Sequence, residues 1–140
     1  RAGMTLAETW SAGPKTYLGL AINGFPNLFT VSGPGSPSVL SNMIVTIEQH
    51  INWIMDCLDT MKQQQTRTIE ATAEAASNWV ESGNAIAAGT LFPTCNSWYL
   101  GANVPGKPRI FMPYVGGFPS YVAICEQVKN EGYQGFVFSK

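Results

Sequence analysis

The chain has 140 residues, 45% of them hydrophobic and 12% charged, with a formal net charge of −1. That size and apolar content suit one globular domain, and eight scattered basic residues give no field for nucleic acid or an acidic membrane surface. No apolar run reaches the roughly 18–20 residues of a membrane span and no basic-then-apolar leader opens the sequence, so a cytoplasmic protein with no membrane partner is expected.

In chain order, residues 1–27 show no periodicity. Gly13-Pro14, Gly19, Gly24 and Pro26 interrupt them, which predicts packed irregular chain around Trp10, Tyr17 and Phe25. Leu28-Phe-Thr-Val-Ser32 reads as a buried strand. Gly33-Pro-Gly-Ser-Pro-Ser38 then forms an elbow. Its glycines permit a tight turn or close approach to a ligand, its prolines stiffen the chain, and Ser38 is placed to cap a helix. Leu40, Ile44, Ile47, Ile51, Ile54, Leu58 and Met61 recur at helical spacing and predict a helix over 39–63. Val39, Met43, Val45, Trp53 and Met55 widen its apolar surface, so it is expected to be covered on more than one side.

A second helix is expected over 67–88, with Gly83 weakening its middle and Gly89 as its cap. Residues 90–109 read as a long loop carrying Trp98 and Tyr99, of the length that is functional or disordered in compact domains. Arg109 to Val115 reads as an extended segment. A third helix begins near Pro119 and stops at Gly132, and Gly135-Phe-Val-Phe-Ser139 closes the chain as a strand.

Cys57, Cys95 and Cys125 lack the C-x₂-C spacing of zinc or redox motifs and read as buried free thiols. His50, the sole histidine, excludes a multi-histidine metal site, and no metal is expected. It is the one candidate base for a catalytic triad. Inside a helix, and without a nucleophile motif such as G-x-S-x-G, it reads as structural or exposed; a hydrolase using Ser36 or Ser38 is the weakest of the functional readings.

A helix start after a Gly/Pro elbow favours anionic or electron-rich ligand groups through its free N–H groups and dipole. Such a strand–elbow–helix unit belongs in a parallel sheet, yet too few strands are present and the G-x-G-x-x-G fingerprint is missing. The unit therefore reads as the closing part of a sheet that opens elsewhere.

These residues resemble the type I Baeyer–Villiger monooxygenases. The resemblance rests on Gly13-Pro14, Thr16-Tyr-Leu-Gly19, Gly24-Phe-Pro-Asn-Leu-Phe29, Gly33-Pro-Gly-Ser-Pro-Ser38, Leu40-Ser-Asn-Met43 and Ile47-Glu-Gln-His50. It continues through Ser97-Trp-Tyr99, Gly101-Ala-Asn-Val-Pro-Gly-Lys-Pro-Arg109, Tyr114-Val-Gly-Gly-Phe118 and Gly132-Tyr. The GPGSPS elbow is most similar to the phenylacetone and steroid monooxygenase branch. The resemblance implies an α/β fold: the closing strand–elbow–helix of a Rossmann-like FAD domain over 1–63, then a mostly helical C-terminal extension over 64–140 that includes a mobile loop at about 90–109.

The activity implied is oxidation of ketones to esters or lactones with FAD, NADPH and dioxygen. The chain corresponds to the C-terminal quarter of such an enzyme, carries no catalytic residue of its own and is expected to be inactive without the missing N-terminal FAD and NADPH domains. Carried over by position, Ser38, Leu40, Asn42 and Met43 meet FAD, and Trp98 meets NADP. Val39, Leu40, Met43 and Trp98 line the ketone pocket. Lys107 and Arg109 are candidates for cofactor phosphate, though both read better as solvated charge. The alternative is a non-catalytic interaction module derived from such an enzyme.

Overall fold

A computed structural model describes residues 3–37, 40–106 and 108–140. Its elements are α1 (Leu6–Thr9), α2 (Met43–Gln64), β1 (Thr68–Ala71), α3 (Ala73–Ala88), α4 (Phe118–Asn130) and β2 (Phe136–Ser139), with two short 3₁₀ turns at Phe92–Thr94 and Trp98–Leu100. The result is a small mixed helix and strand unit in which β1 and β2 form a two-stranded antiparallel sheet, Thr68 opposite Ser139 and Ala71 opposite Phe136.

Several expectations are corrected. Within 1–27, expected to be irregular, Thr5 and Glu8 close a capping box and Leu6–Thr9 form α1. No strand forms at 28–32. Phe29 makes only an isolated bridge to Ala21, the Thr30 N–H bonds the Leu20 carbonyl at 2.8 Å, and Leu28 and Val31 are exposed. A strand needs a neighbouring ladder for its polar groups, and no other described strand lies beside this segment. The first long helix begins at Met43 rather than 39, because the Asn42 carboxamide caps it by accepting from the Ile44 and Val45 N–H groups. It ends where Gln65 turns left-handed.

The expected helix over 67–88 is split. Residues 68–71 form β1, and Thr72 caps α3 by accepting from the Ala75 N–H. The partner strand lies at the far end of the chain, so helical periodicity from 69 onward hid the β pairing. The third helix and the terminal strand lie where the sequence places them, with Pro119 in the first turn of α4.

The helix α2 buries Thr46, His50, Trp53, Cys57 and Met61. Much of the stripe that dominates its sequence faces the other way: Ile44 is 65% exposed, Ile51 and Leu58 are exposed with it and so is Met55 beside them, whereas Ile54 packs against the core and Met61 is buried. The expected cover on more than one side is therefore not supplied by the described residues. The core lies between α2, α4, the small sheet and the N-terminal segment, with Leu18, Leu20, Trp53, Cys57, Ile69, Trp79, Tyr121 and Cys125 in one cluster. Burial pushes the Cys57 and Cys125 thiols up to about 12, so both are inert, whereas Cys95 is exposed, against expectation. It sits just after a 3₁₀ turn on the surface of the 90–109 loop, where no helix face covers it.

Trp79 on α3 joins the parts. Its indole stacks on Tyr114 with ring centroids 5.3 Å apart and planes 11° apart, meets Tyr17 and Tyr121 edge-on, and donates from Nε1 to the Gly35 carbonyl at 3.0 Å. Gly35 has φ of 85°, and a Cβ there would lie 2.9 Å from Trp79 Nε1 and 3.0 Å from Thr16 Oγ1. Trp79→Phe, which keeps an aromatic ring but deletes the donor and part of the indole volume, is expected to lower stability by about 1–3 kcal/mol, from a part-buried carbonyl left unpaired and the packing lost with it. Gly35→Ala is expected to cost at least as much, adding steric conflict to an unfavourable backbone conformation. Urea unfolding of both variants checks this, and an unchanged midpoint for Trp79→Phe would show that the indole bond does not hold the elbow.

Candidate functional site

The elbow is tied inward rather than left open. The Gly35 N–H donates to the Met112 carbonyl at 2.7 Å, Thr16 Oγ1 to the Pro34 carbonyl at 2.6 Å, Ser36 Oγ to the Gly33 carbonyl at 2.7 Å, and the Tyr114 N–H to the Ser36 carbonyl at 2.8 Å. Ser36 and Pro37 are fully buried. Ser36 Oγ is thus committed to a backbone carbonyl, and His50 is bonded elsewhere, so these two form no nucleophile–base pair. Ser38 and Val39 lie outside the described residues.

The donors available to a ligand lie one step further on. Because Asn42 occupies the Ile44 and Val45 N–H groups, the cap leaves those of Asn42 and Met43 unengaged by it. Around them Leu40, Met43, Ile44 and Val45 are exposed apolar side chains. A helix start that offers backbone donors and a positive dipole end within an apolar surface matches a flat, electron-rich ring edge better than a compact, fully charged anion.

The described residues of the loop at 90–109 pack on one another and on the chain at 110–112. Trp98 and Tyr99 stack at 4.2 Å, Phe92 packs on Tyr99 and Phe111, and the Ile110 and Met112 N–H groups donate to the Leu100 and Tyr99 carbonyls. Trp98 remains 54% exposed. It borders two grooves that meet at the elbow. One, of about 380 Å³, lies between Trp10, Pro14, Pro34, Trp98, Val104 and Met112. The other, of about 170 Å³, lies over Ser32, Gly33, Pro34 and Pro113. Trp98 and the elbow therefore share one surface, whereas Leu40 and Met43 line neither groove.

Behind this surface His50 is fully buried. Its Nδ1 accepts the Ser32 N–H at 2.9 Å, its Nε2 lies 2.8 Å from Tyr121 Oη, and Tyr121 Oη donates to the Leu18 carbonyl at 2.6 Å. Burial lowers the imidazole from 6.5 to about 4 and pushes the Tyr121 hydroxyl well up. Arg109 donates to the Asn96 side chain. Lys107 lies outside the described residues.

No family model matches the chain. It is 37% identical over 96% of its length to a cyclohexanone 1,2-monooxygenase of Acinetobacter sp, and 39% identical over 98% to a Baeyer-Villiger monooxygenase of Pseudooceanicola batsensis. A solved structure of oxidized steroid monooxygenase bound to NADP matches 99% of the chain at 47% identity with a TM-score of 0.92. The chain belongs to the Baeyer–Villiger monooxygenases. It spans about a quarter of the length of these relatives, 24% and 25% of the two sequences and 25% of the solved chain.

For a Baeyer–Villiger monooxygenase segment, the sequence reading of the site divides in two. It named Asn42 and Met43, which stand at the start of α2, and Trp98, which stands on the loop beside the elbow; it assigned capping to Ser38, and it did not single out Trp10 or Met112, which border the same groove as Trp98. Met112 could have been found only through its pairing with Tyr99 and Gly35, which no local motif announces. Among the described residues no helix is long and apolar enough to cross a membrane, and no group of three or more His, Cys, Asp or Glu is placed to hold a metal.

The buried imidazole gives a pH prediction. From pH 6.5 down to about 4 the unfolded chain binds a proton that the folded chain excludes. The contribution of neutral His50 is therefore complete above pH 6.5, falls steadily as pH drops to about 4 and is constant below. At about 1.4 kcal/mol per pH unit the loss is on the order of 3 kcal/mol. Urea unfolding at pH 7 and pH 4 measures it as the part of the pH dependence that His50→Phe abolishes.

Proposed function

We propose that this chain is the C-terminal part of an FAD- and NADPH-dependent type I Baeyer–Villiger monooxygenase that oxidises ketones to esters or lactones, nearest the phenylacetone and steroid monooxygenase branch. Homology along nearly the whole chain supports the family, and the 47% identity to steroid monooxygenase supports the branch. The observation that carries the dependence on other domains is the outward stripe of α2, where Ile44, Ile51, Met55 and Leu58 stand exposed. A helix apolar on two faces is built to be covered twice. The missing FAD and NADPH domains are the natural cover, and with them residues 1–63 complete a Rossmann-like unit. In that arrangement 1–63 belongs to the FAD domain and 64–140 to the extension, the two sharing one core.

The donor set at the start of α2 fits a flavin edge. Asn42 and Met43 would hold it through backbone N–H groups, with Ser38 and Leu40 beside it, and the flavin when bound supplies the activation of dioxygen. The chain's own residues do the rest by shape and electrostatics. The α2 dipole favours negative charge at the ring edge without a mobile cation, and Val39, Leu40 and Met43 present apolar wall to a ketone. Trp98, half-exposed on a loop hinged by Gly101, offers an indole N–H and a large apolar body that can dock on NADP and exclude water.

Joining the chain to the flavin- and NADPH-binding portion of a steroid monooxygenase tests this. The hybrid is expected to consume NADPH in a ketone-dependent way and to form ester, while the 140 residues alone are expected to purify without bound FAD. A folded, flavin-replete hybrid that ignores ketone would refute the proposal. In the active hybrid Trp98→Ala is expected to lower the product formed per NADPH by roughly tenfold, the equivalent of one lost hydrogen bond and its packing. Unchanged coupling would remove Trp98 from the lid.

A further inference from the structure

We propose that His50 is a positioning residue: through Ser32 it sets the backbone from which the elbow and the start of α2 approach the flavin. The inference rests on reading that surface as the flavin contact. Ser32 is the last residue before the elbow and has φ of 54°, a conformation unusual for a residue with a side chain. Its own hydroxyl does not account for that conformation, since the buried Oγ has no hydrogen-bond partner among the described residues. The Ser32 N–H is held by His50 Nδ1 at 2.9 Å. An imidazole brought in by α2 thus anchors a strained residue on a segment with no ladder to hold it.

The ring can do this because its orientation is fixed from the far side. Accepting the Ser32 N–H requires a lone pair on Nδ1, so the proton of the neutral ring sits on Nε2 and is donated to Tyr121 Oη at 2.8 Å. Tyr121 Oη in turn donates to the Leu18 carbonyl at 2.6 Å, where the relay ends. Both ring nitrogens and the phenol proton are used once, with all three bonds running in the same direction. Leu18 is itself left-handed, with φ of 58°, and fully buried. The relay therefore connects two residues in an uncommon conformation and locks both to α2 and α4. His50 lines neither groove and is fully buried, so it acts through Ser32 and not on a substrate.

Two substitutions separate this role from simple packing. In His50→Asn the carboxamide oxygen stands where Nδ1 stood and can accept the Ser32 N–H. In His50→Gln the carboxamide reaches Tyr121 and leaves Ser32 without its acceptor. In the hybrid enzyme His50→Asn is expected to stay within about threefold of the parent in kcat, and His50→Gln to lose about tenfold or more in kcat and in coupling with the KM for NADPH little changed. Equal loss in both variants at equal thermal stability would overturn the proposal.

Nitrogen-15 NMR of the hybrid, labelled only in these 140 residues by segmental ligation, supplies a reading independent of ketone oxidation, because the segment's one histidine gives one imidazole spectrum. The expected result is protonated Nε2 and a Ser32 amide that shifts in His50→Gln but not in His50→Asn. Protonated Nδ1, or a Ser32 amide indifferent to both variants, would refute the role whether or not the hybrid oxidises ketones. An inactive parent hybrid with the expected spectra would instead refute the flavin reading and leave the anchoring of Ser32 standing.

Discussion

The rest of the structure depends on the way Trp79 closes over the elbow. One indole stacks on Tyr114, meets Tyr17 and Tyr121 at their edges and bonds the Gly35 carbonyl, so a helix, the N-terminal segment, the extended chain before α4 and the elbow all converge on one side chain. A Gly/Pro segment has little apolar surface of its own to bury. It is held because its carbonyls and amides find internal partners, and because its glycines let an aromatic ring come within van der Waals distance of backbone.

That inward attachment decides where ligand chemistry can occur. With the carbonyls of Gly33, Pro34, Gly35 and Ser36 committed to the protein, the elbow is scaffold between its two ends. At one end Ser32 is gripped by the His50 and Tyr121 relay. At the other the Asn42 cap takes two amides and leaves two, within a ring of exposed apolar side chains. Trp98 stands beside the elbow, stacked on Tyr99 and bordering the same groove as Pro34.

The outward stripe of α2 explains why composition alone suggested an ordinary globular domain. Counting apolar residues does not say which face they lie on. Here much of the most regular stripe is turned to the surface, while Thr46 and His50, polar by type, are fully buried and satisfied by Ser41, Asn42, Ser32 and Tyr121. Segments of multidomain enzymes carry such faces because their stability is shared with neighbouring domains.

Local signals in the sequence determined the long helix of α2, the position of α4 behind Pro119, the terminal strand, the irregular chain that follows α1 and the family resemblance. Each depends on residues close together: periodicity, a proline in a first turn, a glycine-bounded run. Only the tertiary structure decided the rest, because the deciding contacts are far apart in sequence. Thr68–Ala71 became a strand because Phe136–Ser139 was there to pair with it, and 28–32 did not because no strand among the described residues pairs with it. Asn42 became the cap because it, and not a residue further back, met the Ile44 and Val45 amides. His50 was legible as a lone histidine inside a helix. That it grips Ser32, and is itself gripped by Tyr121 from 71 residues away, is a fact of the folded chain, since burial forces each of its polar atoms to find a partner wherever the fold supplies one.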